Sequence, residues 1–227
     1  MLWQCLTDSL TFFKNNLLAL CAIILPIVIP VEVFSAVYEH FFITEESSLW
    51  VYSLPILVMV FAYPLYGVGV VYYMAATIDG SPITTKTAWA WGLKFWAPYL
   101  LLSILVSLVV VMGLMVFIIP GIVLAVRYAY AEFELLFNNK TPVQAIKLSW
   151  ANTRESFWVL FGGYVVLATF LIAPLFIIGP MLDGQGVGYE VLDTVINIVS
   201  SVLEMLFTIY AYRVYRSGQQ TQTTEGM

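Results

Sequence analysis

Five long stretches of this chain contain no aspartate, glutamate, lysine or arginine. They are residues 15–31, 47–78, 95–126, 156–182 and 194–203. A helix needs about 20 apolar residues, at about 1.5 Å each, to cross a hydrocarbon layer about 30 Å thick. Only 10% of the 227 residues are charged and 61% are hydrophobic, whereas soluble domains carry about 25% charged residues. The uncharged stretches therefore predict an integral membrane protein built from transmembrane helices.

The stretch at 95–126 is too long for one span. Pro120-Gly121 interrupts it and predicts a tight apolar turn at Ile119-Pro120-Gly121. With this division, the sequence predicts an all-α integral membrane protein in which residues 1–227 form a single polytopic domain. The six predicted transmembrane helices are about 17–38, 52–77, 97–118, 121–138, 158–180 and 189–212.

The loop charges predict the orientation of these spans. All lysines and arginines except Arg127 fall in segments on one side of a six-span protein: Lys14, Lys86, Lys94, Lys140, Lys147, Arg154, Arg213 and Arg216. The segments on the other side contain acidic residues and no lysine or arginine: Glu39, Glu45, Glu46, Asp183 and Glu190. Because basic residues concentrate in cytoplasmic loops, both termini are predicted to be cytoplasmic. The net charge of -5 gives no indication of a nucleic-acid partner.

Two turn-to-helix junctions resemble each other. Asp79-Gly80-Ser81-Pro82 and the segment from Asn138 to Pro142 both place Ser or Thr as an N-cap before a proline at the first helical position. Thr141 and Gln144 also have the spacing of a capping box. With a looser match near the N-terminus, these junctions predict three hairpin repeats, each preceded by a cytoplasmic interfacial amphipathic helix.

The predicted interfacial helices at 82–96 and 142–158 combine tryptophans with basic residues. Tryptophan prefers the headgroup level of a bilayer, and an amphipathic helix edged by lysine or arginine lies in the interface plane. Their basic side chains are Lys86, Lys94, Lys147 and Arg154. Two interpretations stay open, in which these helices simply anchor the chain or bind lipid headgroups. Either makes the lipid bilayer the first partner.

Four of the ionisable residues within the predicted spans stand out: Glu32, Arg127, Glu134 and Glu204. Charge is costly in the hydrocarbon region, so each is a candidate for function. Arg127 lies about 9 Å past the outer turn at helical rise, and Glu32 has a similar depth. We hypothesise that Glu32 pairs with Arg127 and that Glu134 and Glu204 share a second polar site. The alternatives are purely structural ion pairs, or charges that snorkel to water.

The sequence carries no HExxH, GxSxG or GxxxxGK[ST] motif and no cysteine pair at metal-ligand spacing. His40 is the single histidine, so a His/Cys zinc site is not available from this chain alone. These observations predict a non-enzymatic protein with no catalytic residues, no cofactor and no metal.

The sequence Ile118-Ile119-Pro120-Gly121-Ile122, followed by a span and then by AIKLSWANTR from Ala145 to Arg154, resembles the YciC-like family of bacterial inner-membrane proteins. The resemblance covers about residues 95–216, and the first 80 residues agree mainly in pattern. It implies an uncharacterised, six-span protein of the cell inner membrane. A looser resemblance reaches the membrane domain of some glycerophosphodiester phosphodiesterases, whose activity is not carried over because this chain shows no phosphodiesterase domain.

Two functions follow as expectations. The first is a non-enzymatic envelope protein that supports membrane or lipid homeostasis, with another inner-membrane protein as a candidate partner. The second is a transporter of a small molecule or lipid that uses the intramembrane charges. A water-accessible polar cavity would favour transport, and a closed bundle would favour the first function.

The hypothesised Glu32–Arg127 pair can be tested by a double substitution. Arg127→Leu alone should lower protein abundance, because it leaves a carboxylate unpaired in the membrane, whereas Glu32→Leu with Arg127→Leu should restore it. Immunoblotting of membrane fractions measures both. A double variant no more abundant than the single ones would show that no such pair exists.

Overall fold

A computed structural model describes residues 1–42, 48, 50–171, 173–174 and 187–225. The helices are α1 (Leu2–Phe42), α2 (Ser53–Ile78), α3 (Thr85–Val116), α4 (Ile118–Arg127), α5 (Ala131–Phe137), α6 (Pro142–Leu171) and α7 (Val187–Glu225). The predicted loop residues 43–47 and 49, and the end of the predicted fifth span at 175–180, lie outside the described residues.

Five of these helices are long and apolar enough to cross a membrane: α1, α2, α3, α6 and α7. The prediction of an all-α, multi-pass membrane protein is therefore confirmed. The predicted boundaries between interfacial helices and spans are absent from the backbone of the described residues, because each segment continues into the next as one helix. In α3 this continuity includes Pro98.

The predicted fourth span, 121–138, is not one regular helix. It consists of α4 and α5, which are separated by a turn at residues 128–130. The turn that divides the long apolar stretch also lies earlier than predicted. Phe117 is extended, with φ −161° and ψ 151°, and α4 begins at the next residue. Pro120 therefore sits in the first helical turn, where its missing N–H has no helical acceptor to lose.

The two predicted junctions differ at their helix starts. At α6 the capping box is confirmed, since the Gln144 amide donates to Thr141 Oγ1 at 3.4 Å and the Thr141 amide donates to Gln144 Oε1 at 3.2 Å. At α3 the prediction was wrong, because the helix begins at Thr85 instead of Pro82. Thr84 Oγ1 accepts from the Thr87 amide at 3.2 Å and supplies that cap. The three-hairpin repeat stays a prediction.

The described chain forms two compact units, and α1, α3, α6 and α7 contribute residues to both. The first unit contains Met1–Asn16, Lys94–Leu167 and Leu206–Met227. In its core, Tyr210 is fully buried and its hydroxyl donates to the Val159 carbonyl at 2.6 Å. The Tyr210 ring lies directly against Gly163, where a Cβ atom would overlap it. Gly163 thus permits α6 and α7 to pack closely.

The second unit contains Leu17–Leu93 and Ala168–Met205. Its core is aliphatic, with fully buried Leu20, Ile23 and Val68 among its members. Two glycines bring its helices together. A Cβ atom at Gly69 would lie 3.2 Å from the Ala88 carbonyl oxygen, and one at Gly92 would overlap the carbonyl oxygen of Leu65. Close backbone approach of this kind is typical of helix packing in membranes.

Gly92→Ala should therefore destabilise the protein, by about 1–3 kcal/mol, because the added methyl overlaps a backbone atom that no side-chain rotation can move. The free energy of unfolding in mixed micelles measures this. Gly188→Ala is the matched control, since a Cβ at Gly188 meets nothing within 4 Å. Equal stability of the two variants would contradict the close approach of α2 and α3.

Candidate functional site

The break between α4 and α5 is held together by a serine of α6. The Ser149 hydroxyl donates to the Arg127 carbonyl at 2.8 Å and accepts from the Tyr130 amide at 3.1 Å. Ser149 is fully buried. These two bonds satisfy backbone groups on either side of the turn. Irregular backbone at membrane depth is tolerated only where protein groups or water satisfy it, and here one side chain does so.

Thr153, one turn further along α6, reinforces this arrangement. Its hydroxyl lies 2.7 Å from the carbonyl oxygen of Ser149 and 3.2 Å from that of Arg127. Since a hydroxyl carries one proton, it donates to one of these oxygens at a time. Thr153 is fully buried as well. The Ser149–Thr153 segment of the sequence therefore has a structural role, which is to bind the interrupted helix.

A second set of hydrogen bonds surrounds the carboxylate of Glu134. We call Glu134, Asn138, Asn152 and Tyr215 the Glu134 cluster. The Asn138 side-chain amide donates to Oε2 at 2.7 Å, and the Asn152 amide donates to Oε1 at 2.8 Å. The Tyr215 hydroxyl lies 3.4 Å from Oε1 and accepts from Asn138 at 3.2 Å. Glu134 is 3% exposed, so these donors replace water around both of its oxygens.

Aromatic rings enclose the Glu134 cluster on the side of α7. The Tyr215 ring centroid lies 5.0 Å from that of Tyr130 and 5.3 Å from that of Phe133. Tyr212 packs edge-on against Phe133, also at 5.3 Å. Edge-to-face and tilted pairs at these distances stabilise by about 0.5–1.5 kcal/mol each beyond the area they bury. The rings therefore cover the cluster on that side, whereas Asn138 and Asn152 are exposed on the other.

Arg127 is held by aromatic faces. Its guanidinium carbon lies 5.1 Å from the Trp150 ring centroid and 5.0 Å from that of Phe157. One of its terminal nitrogens is 3.5 Å from the Trp150 carbonyl oxygen, and its Nε is buried without a hydrogen-bond partner. A cation within about 6 Å of a ring centroid is attracted by the ring face. The faces of two aromatic rings, both from α6, thus hold the arginine at the end of α4.

Glu132 was left out of the predicted site, although it lies in the same short helix as Glu134. The Tyr99 hydroxyl of α3 donates to its Oε2 at 2.7 Å. Tyr99 is 2% exposed. The sequence contained only a weak signal for this bond, namely a second carboxylate in an apolar segment, because the tyrosine lies 33 positions earlier in the chain.

The second unit holds Glu32 and Glu204. Glu32 lines a cavity of about 10 Å³ together with Tyr66, Ser201 and apolar side chains of α1 and α2. This volume is close to the lower limit of about 10–15 Å³ for one water molecule. Glu204 is exposed and lies within electrostatic range of Glu32, as do Glu39 and Asp193. These four carboxylates of the second unit therefore lie near one another.

A larger cavity of about 450 Å³ lies between α1 and α7 in the same unit. Its walls are mainly apolar and include four valines, and His40 and Glu190 lie at its polar end. The His40 Nδ1 atom is 3.0 Å from both carboxylate oxygens of Glu190, and each side chain is 44% exposed. We call this cavity the α1–α7 groove. No sequence pattern indicated this groove, since residues 150 positions apart form its end.

The structure places the predicted site residues in separate units. Arg127 and Glu134 belong to the first unit, and Glu32 and Glu204 to the second. The hypothesised Glu32–Arg127 and Glu134–Glu204 pairs each join different units and stay predictions. The four predicted headgroup contacts are all exposed: Lys86, Lys94, Lys147 and Arg154. Within the described ranges, no group of three or more His, Cys, Asp or Glu side chains is placed to hold a metal ion.

These features define a class of protein. It is a multi-pass α-helical membrane protein in which an interrupted helix is bound by serine, threonine and asparagine side chains of a long neighbouring helix. The chain belongs to the uncharacterised protein family UPF0259, whose sequence profile matches residues 55–217. The match includes the interrupted helix and all of the Glu134 cluster. No solved structure matches the chain.

Ser149→Ala should destabilise the protein by about 1–3 kcal/mol, because it removes the partner of two buried backbone groups at the helix break. The control is Ser103→Ala, since the Ser103 hydroxyl bonds only to the Tyr99 carbonyl of its own helix, at 2.9 Å. Thermal unfolding in detergent measures both variants. If Ser103→Ala costs as much as Ser149→Ala, the serine of α6 does not stabilise the break.

Proposed function

We propose that the chain is a YciC-like, multi-pass protein of the bacterial inner membrane with both termini in the cytoplasm. If both termini lie on the same side of the membrane, the chain must cross it an even number of times. Five single helices are long and apolar enough to cross it. Residues 118–137, in α4 and α5, extend about 30 Å at helical rise and supply the sixth crossing. The one-sided distribution of lysine and arginine supports this orientation.

The function that the geometry supports best is a non-enzymatic role in envelope or lipid homeostasis. The observation that carries it is the set of hydrogen bonds that occupies the Glu134 carboxylate. Glu134 is 3% exposed, and both of its oxygens already accept from neutral side chains, so that the carboxylate is engaged within the protein instead of being presented to a substrate. The exposed basic side chains of α3 and α6 support contact with lipid headgroups. The bilayer is then the first partner, with another inner-membrane protein as a candidate second partner.

Transport of a small molecule or lipid is the second candidate. The observation that favours it is the cavity at Glu32, which is also lined by Tyr66 and Ser201 and lies near Glu204. A transporter would need this cavity to widen and to connect to water. Its volume of about 10 Å³ is that of a site for a single water molecule and is too small for the path of a transported molecule.

Cysteine accessibility separates the two functions. After removal of Cys5 and Cys21, single cysteines at Ala62 and Ser201 report on the Glu32 cavity with little change in side-chain size. Further cysteines at positions 32, 127, 134 and 204 report on the intramembrane charges. Intact cells are treated with a membrane-impermeant thiol reagent, and cysteines at positions 46 and 183 serve as outer-loop controls.

We expect labelling at positions 46 and 183 and none at positions 62, 201, 32 or 127, because the described residues leave room for about one water molecule at Glu32 and place two aromatic rings against Arg127. Inside-out vesicles then test positions 134 and 204 from the cytoplasmic side. Labelling at 62 or 201 from outside would contradict the closed arrangement and make transport the leading function. Protection of positions 46 and 183 would contradict the proposed orientation.

A further inference from the structure

The α1–α7 groove has the shape of a site for a single acyl chain. Its α1 wall includes Val33 and Val37, and its α7 wall includes Val191 and Val195. All four valines are about half exposed. The volume of about 450 Å³ falls within the range of about 300–1,000 Å³ that is typical of small-molecule sites. In a bilayer such a surface faces hydrocarbon, and lipid chains are the molecules available to fill it.

The groove is short along the helix axes. Its α1 wall runs from Val33 to Phe41, which is about 12 Å at helical rise. An extended hydrocarbon chain is much thinner than a helix and can lie between α1 and α7 along this length. Glu190 at the polar end favours an occupant that carries a cationic group, as some lipid headgroups do.

The charges at the polar end select the headgroup. Glu190 lines the groove, and Glu39 and Asp193 are exposed on the same two helices. Neither residues 17–42 nor residues 187–205 contain lysine or arginine. His40 is thus the sole candidate cation for a phosphate in these segments, whereas an ammonium group has several carboxylates available. A lipid with a net negative headgroup would be repelled.

We propose that the α1–α7 groove binds one acyl chain of a phospholipid that has a primary ammonium headgroup. The ammonium group contacts Glu190 and the neighbouring carboxylates, and the headgroup phosphate lies at His40. An imidazolium donates from both ring nitrogens, so Nδ1 can hold Glu190 while Nε2 donates to the phosphate. This inference rests on the proposed lipid-related function and names the lipid class.

Native mass spectrometry of the full-length protein in detergent tests the proposal. The probes are phosphatidylethanolamine and phosphatidylglycerol with the same palmitoyl and oleoyl chains. We expect one tightly bound lipid and about a fivefold preference for the ethanolamine lipid, which is the effect of about one favourable charge contact near a membrane surface. Glu190→Gln should remove most of this preference while the first lipid still binds.

Two further variants and two control variants complete the test. Glu39→Gln should reduce the preference without disturbing the contact between His40 and Glu190. Val195→Trp should fill the groove and abolish the first binding event for both lipids. The matched controls are Glu155→Gln and Val111→Trp, which alter an exposed glutamate and a half-exposed valine of the first unit. Melting temperatures confirm that each variant is folded.

The outcomes separate this inference from the proposed function. Equal binding of the two lipids to the wild-type protein, with loss of both in Val195→Trp, would overturn the headgroup assignment and leave the lipid-related function standing. Unchanged binding in Val195→Trp would show that the groove is not the site. If no lipid binds at all, both the inference and the lipid-related function fail.

Discussion

The structure depends on the requirement that every backbone polar group in a membrane finds a partner. Most helices here meet it through their own hydrogen bonds, but the turn between α4 and α5 cannot. Ser149 satisfies the Arg127 carbonyl and the Tyr130 amide across that turn. Such bonds cost little to form between groups already removed from water and much to leave unmade. The position of α6 against α4 and α5 follows from this requirement, and the Glu134 cluster lies one turn further along the same contact.

The sequence predicted the class of fold because that class depends on long-range composition and not on local detail. Uncharged stretches are a direct consequence of the cost of charge in hydrocarbon, so the long helices followed from them. The α6 capping box was also predictable, since Thr141 and Gln144 lie three residues apart. The start of α3 could not be predicted in this way, because two nearby residues could each serve as its N-cap. Ser81 and Thr84 both suit an N-cap, and backbone geometry beyond the local sequence decides for Thr84.

The candidate site shows the same division. Arg127, Glu134 and Glu32 could be named from the sequence, because an ionisable residue in an apolar stretch stands out. Their surroundings could not be named, because they come from distant positions. Arg127 lies between the rings of Trp150 and Phe157, and Glu134 accepts from Asn138 and Asn152. From the sequence, a charged residue in an apolar stretch suggests an oppositely charged partner. Amides, hydroxyls and aromatic faces also stabilise a buried charge, and their own desolvation costs less than that of a second charged group. Because they are neutral, the distribution of charged residues in the sequence does not indicate them.

Glu134 in the first unit and the carboxylates along α1 and α7 in the second unit have different surroundings. In the first unit, Glu134 is buried and its oxygens accept hydrogen bonds from neighbouring side chains. In the second unit, Glu190 and Glu204 are exposed, and Glu39 and Asp193 extend the same negative charge along α1 and α7. Negative charge without nearby lysine or arginine is destabilising for the isolated protein, since like charges repel. It becomes favourable when a cation arrives from the surroundings, and at a membrane surface the ammonium group of a lipid is such a cation.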